Sequence, residues 1–260
     1  MPVLLFAAGL ITVVAIMAAL WLLGIRNRNF SYVDIGWSVN FAVLAVLYAA
    51  LGTGWPTRKW LLAAMFSAWS LRLGLHLAKR IIGEPEEGRY VQLRAEWGQS
   101  GSLNAKFFAF FQFQALLNIV LALPMLLACV NPQPELHPLE LAGAILWAVA
   151  LAGESLADAQ LAAFKRNPAN KGEVCDVGLW RYSRHPNYFF ESLIWVSYAV
   201  FACASPWGWI TLALPLLMLH FLINVTGVRA TEEQALRSKG EKYRRYQKQT
   251  SMFVPLPRRK

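Results

Sequence analysis

The chain has 260 residues, 57% of them hydrophobic and only 15% charged, a balance too apolar for one ordinary soluble domain of this length. Its formal net charge of +10 could suit nucleic acid. The basic residues, however, fall in the links between long apolar blocks, which excludes a nucleic-acid partner and makes the lipid bilayer the first one to consider.

Those blocks run over 3–24, 37–54, 60–78, 107–130, 139–163, 190–204 and 207–226, the sixth being short and partly polar. Each approaches the roughly 20 residues that a helix needs to cross a bilayer core. They predict an all-α, polytopic membrane protein of about seven transmembrane helices, forming a single membrane domain over 1–260. No charged segment precedes the first block and no small-residue cleavage site follows it, so it reads as a retained helix. With the amino terminus outside, 22 of the 25 Lys and Arg lie inside, Arg58 and Lys59 lie outside, and Arg72 falls within a span. That asymmetry follows the positive-inside rule and puts the carboxy terminus in the cytoplasm.

Taken in chain order, the second span opens on Ser31-Tyr32-Val33-Asp34-Ile35-Gly36-Trp37, where Asp34 is either a helix cap or a site acid. Gly54–Thr57 and Asn131–Pro134 make short outside turns, and Gln112, Gln114 and Asn118 in the fourth span suit interhelical hydrogen bonds. Arg72 and His76, Glu154 and Asp158, Asn187 and Glu191, and His220 and Asn224 are each four residues apart, so each pair shares a helix face. Ionisable groups in a bilayer are costly, and four pairs at similar depth predict a polar cavity open to the cytoplasm. Residues 227–250 read as a charged, solvated surface helix. The three cysteines have no metal-ligand spacing, and no metal site is expected.

The densest polar cluster is Gly178-Leu179-Trp180-Arg181-Tyr182-Ser183-Arg184-His185-Pro186-Asn187-Tyr188-Phe189-Phe190-Glu191. Together with the segments at 31–37, 70–76 and 246–255, it resembles the steroid 5α-reductase superfamily, especially its bacterial branch of uncharacterised members. The resemblance implies a bacterial inner-membrane enzyme that binds NADPH at the cytoplasmic side. It would reduce a carbon–carbon double bond conjugated to a carbonyl in a hydrophobic small molecule, steroid-like or another lipid. The region 154–255 would be the cofactor-binding half. Lys165, Arg166, Arg181 and Arg184 would meet the phosphates, Asp158, Asn187 and Glu191 the ribose and carboxamide, with Tyr182, His185 and Tyr188 in support.

Membrane methyltransferases such as isoprenylcysteine carboxyl methyltransferase share the Arg-His-Pro-x-Tyr core, so an S-adenosylmethionine-dependent enzyme is the alternative. A lipid-binding protein that keeps the fold without catalysis is a third reading. The steroid reductases use a Gln-Glu pair on an early helix and a Tyr on the following one, and neither stands here in recognisable form. Asp34, Tyr32 and His76 are therefore the catalytic candidates, with Tyr90 in reserve.

Overall fold

The computed structural model describes residues 1–99, 101–225 and 227–259. Helix dominates, and among the described residues the one extended pairing is an isolated parallel bridge between Ser183 and Ser251. Among the described residues, six helical segments are long and apolar enough to cross a membrane, which makes the chain a polytopic membrane protein. The predicted sixth span, around 190–204, lies in a helix of 17 residues, Pro186–Ala202. At about 1.5 Å per residue it reaches roughly 25 Å, short of a core about 30 Å thick. The predicted fourth block is two helices, because Pro124 has no N–H to continue the ladder past Ala122.

The chain divides into two compact units. The first holds Met1–Leu136 with Ser205–Gly208. Its helices are α1 (Pro2–Asn27), α2 (Tyr32–Leu51), α3 (Pro56–Ile81), α4 (Gly88–Gly98), α5 (Leu103–Leu121) and α6 (Leu123–Val130). Helices in lipid gain little from apolar burial against one another and rely on close packing and interhelical hydrogen bonds. Here Trp37, Phe41, Phe66 and Trp69 interlock between α2 and α3. Asn118 on α5 accepts from the Asn40 amide and donates to the Trp37 carbonyl, both at 2.9 Å, the interhelical role expected of it.

The two basic residues assigned outside are not free surface charges. Arg58 is fully buried and donates to the carbonyls of Asn131, Gln133 and Glu135 at 2.6–3.1 Å. Lys59 is buried beside it and donates to the Gly52 carbonyl. Both cations therefore serve as staples for loop backbone carbonyls.

The second unit holds His137–Ala204 and Trp209–Lys260. Its helices are α7 (Pro138–Arg166), α8 (Pro186–Ala202), α9 (Ala213–His220), α10 (Val228–Lys239) and α11 (Glu241–Gln249), with a π-helical turn at Phe221–Val225. The 29 residues of α7 extend about 43 Å, so Lys165 and Arg166 reach beyond a hydrocarbon core. A Cβ at Gly143 would stand 2.8 Å from the Ser197 carbonyl, so only glycine lets α7 and α8 pack this closely. The expected single surface helix over 227–250 is instead broken at Gly240, where φ is +54°. It is also not wholly solvated, since Tyr243 and Tyr246 are buried.

Candidate functional site

In the first unit, the turn between α1 and α2 is tied to the segment before α4. The Phe30 N–H donates to Glu86 at 2.7 Å, the Glu87 N–H to the Ser31 hydroxyl at 2.9 Å, and Arg94 clasps Glu86 at 2.9 Å. This lashing places Arg89 and Tyr90 of α4 over Asp34, the third residue of α2. Arg89 donates to both carboxylate oxygens at 2.6 and 2.7 Å, and the Tyr90 hydroxyl donates to one of them at 2.7 Å. Asp34 is therefore not the cap of α2, a position held by Ser31.

The cluster has an unequal electrostatic design. Burial and then the Asp34 charge raise the Tyr90 hydroxyl well above the ordinary tyrosine range, with Arg89 opposing. Burial disfavours the Arg89 guanidinium, but Asp34 and Tyr90 outweigh it and keep the cation. An ion-paired carboxylate accepts hydrogen bonds and has no proton to give, so the O–H donor in this group is Tyr90. Of the other catalytic candidates, Tyr32 accepts from the Asn27 amide at 3.1 Å and His76 is exposed on α3. Neither joins the cluster.

In the second unit, Gly178 starts the 3-10 turn Gly178–Arg181 with φ +57°, and a Cβ there would stand 2.4 Å from the Gln160 side chain. Gln160 in turn accepts from the Leu179 N–H at 2.8 Å, and the Trp180 indole donates to the Ala157 carbonyl at 2.9 Å. The turn is thereby fastened to α7. Beyond it, Arg184 and His185 meet a residue that sequence reasoning passed over. Arg184 Nε donates to Glu232 at 2.6 Å, its Nη1 donates to the carbonyls of Gln247 and Thr250, and His185 Nε2 lies 3.2 Å from Glu232.

Gln247 and Tyr243 also donate to Glu232, at 2.9 and 3.3 Å. The Ser183 hydroxyl donates to the Phe253 carbonyl, and the Tyr246 hydroxyl to the carbonyls of Trp180 and Ser183. Burial raises both tyrosine hydroxyls, with a nearby anion adding to it for Tyr243, so they remain donors. Arg184 and His185, expected at a cofactor, thus clamp the carboxy-terminal segment. Tyr188 stacks on His185 with centroids 5.6 Å apart, and Arg181 and Tyr182 are exposed.

The remaining candidates form two groups in this unit. On α7 and α8, the Asn187 amide donates to Asp158 at 3.3 Å, and Glu191, one turn on, is buried and accepts from the Trp195 indole at 2.9 Å. The Asn187 carbonyl oxygen is buried with no partner among the described residues. At the end of α7, Lys165 and Arg166 line a pocket of about 370 Å³ together with Lys171 and Lys239. Its one carboxylate, Glu173, is paired with Lys242 from outside the lining. Cys175 also lines it, and burial pushes its thiol up, so it stays a neutral wall residue.

Lys171 and Lys239 escaped notice because basic loops already had an explanation in topology. Glu232 lay in a charged run, and Arg89 lies 55 residues from Asp34 on a short helix with no periodic signal. No group of three or more His, Cys, Asp or Glu able to hold a metal occurs among the described residues. No curated protein and no solved structure matches the chain. A family described as protein of unknown function, DUF1295, matches residues 20–250, and the chain belongs to that family.

Proposed function

We propose that the protein is an NADPH-dependent reductase of a carbon–carbon double bond conjugated to a carbonyl, acting on a hydrophobic substrate from within the membrane. The pocket at the end of α7 carries this reading. It gathers Lys165, Arg166, Lys171 and Lys239 around a carboxylate already paired elsewhere, leaving an excess of cations for a phosphorylated ligand. S-adenosylmethionine has no phosphate, so this pocket favours the dinucleotide over the methyl donor. The resemblance of 178–191 to the steroid 5α-reductase superfamily points the same way.

Lys165, Arg166, Lys171 and Lys239 would hold phosphate groups of the cofactor. The orphaned Asn187 carbonyl suits an amide N–H, which the nicotinamide carboxamide supplies, while Asp158 and Glu191 accept ribose or amide donors. When bound, NADPH supplies a hydride to the β-carbon of the enone. The negative charge that would follow on the carbonyl oxygen calls for a hydrogen-bond donor at the site.

Quenching or enhancement of NADPH fluorescence by purified protein in detergent tests the cofactor. Lys165→Ala with Arg166→Ala should weaken binding roughly 10–100-fold, and Asn187→Ala should weaken it further. Wild-type affinity in all of these variants would remove the assignment.

A further inference from the structure

A second pocket in the second unit, about 420 Å³ in volume, lies where the carboxy-terminal segment folds against Arg184. Arg184, Gln247, Thr250, Ser251 and Arg259 contribute its polar lining, and residues such as Met252 and Leu256 its apolar walls. The Arg184 side chain is only 10% exposed. Its Nε and Nη1 are committed to Glu232 and to two carbonyls.

Thr250 is the second sign of a ligand. It is 3% exposed, its N–H donates to the Tyr246 carbonyl, and its own carbonyl receives Arg184, so its backbone is fully used. The side-chain hydroxyl is buried and has no partner among the described residues. A buried hydroxyl left unsatisfied beside a guanidinium is unfavourable unless an acceptor completes it. Arg259 brings a further cation, its backbone held to Gln249 at 3.0 Å, while the walls include Met252 and Leu256, which are exposed. The lining combines two cations, two hydroxyls, one amide and an apolar rim, and has no carboxylate.

We infer that this pocket binds a phosphate group, carried either by a phospholipid headgroup or by free phosphate, as a site separate from the cation pocket at the end of α7. Charged acceptors suit Arg and Thr donors together, and the apolar rim suits the glycerol and first acyl carbons of a lipid. The inference does not depend on the reductase reading.

Thermal unfolding of the full chain in neutral detergent tests it, with inorganic phosphate against chloride at matched ionic strength in one arm and dihexanoyl phosphatidylglycerol in the other. A saturable rise in melting temperature with inorganic phosphate means that the free anion suffices, and a rise with phosphatidylglycerol alone assigns the headgroup. In either case Thr250→Val and Arg259→Gln should each raise the half-saturating concentration roughly tenfold. Because the hydroxyl has no partner among the described residues, unliganded Thr250→Val should melt no lower than wild type. The site is refuted if neither probe stabilises the protein, if the variants respond as wild type, or if unliganded Thr250→Val is destabilised. Loss of NADPH binding in Thr250→Val would make the pocket part of the cofactor site and overturn its separateness.

Discussion

Replacing Tyr90 by Phe removes one hydroxyl and leaves the ring among its neighbours. The hydroxyl donates to Asp34 at 2.7 Å and receives from Arg89, while Asp34 keeps two bonds from Arg89. Losing a hydrogen bond to a charged group costs about 1.5–3 kcal/mol of stability, which a folded membrane protein should survive. Denaturant titration in detergent should therefore show Tyr90→Phe less stable than wild type by about that amount, while its NADPH affinity stays near wild type.

Asp34→Asn keeps an acceptor for the tyrosine and forfeits the ion pair, whose Arg89 side chain is 42% exposed, so it should cost about 1 kcal/mol or less of stability. Burial and Asp34 raise the Tyr90 hydroxyl above its ordinary value of about 10. The folded chain therefore holds this proton longer than the unfolded one. Its stabilising effect is complete below about pH 10 and declines as pH rises toward the folded value. A Tyr90→Phe chain as stable as wild type below about pH 10 would refute the reasoning.

Glu232→Gln leaves Arg184, whose side chain is 10% exposed, without its counter-charge, and should cost about 3 kcal/mol, seen as earlier proteolysis of the segment after Gln249. Gly178→Ala forces a side chain into φ +57° and onto Gln160, and a drop of about 1–2 kcal/mol or more in detergent stability checks it. A reporter active only in the cytoplasm should work when fused to the carboxy terminus and fail when inserted at Gln133, and activity at Gln133 would contradict the topology.

Much of the helical layout was legible because apolar blocks near bilayer length admit few alternatives. The α8 segment was already the weakest block, and it proves to be a 17-residue helix. The break before Pro124 was missed because the apolar run continues unbroken across it. At the site, periodicity identified the shared face of Asn187 and Glu191, since both lie on one helix. It could not identify Tyr90 for Asp34, or Glu232 for Arg184, because those partners are 56 and 48 residues away and are brought in by the intervening fold. Nor could it reveal that Arg58 and Lys59 are buried, since a basic residue in a short loop looks the same whether it faces water or caps carbonyls.

The most direct test is hydride tracing: purified protein, NADPH carrying deuterium at the transferred position, a panel of lipophilic enones, and mass spectrometry of the product. The account predicts a saturated carbonyl product with one deuterium at the β-carbon, formed by wild type and diminished in Lys165→Ala with Arg166→Ala. Methyl transfer from S-adenosylmethionine, with no deuterium incorporated from NADPH, would contradict it.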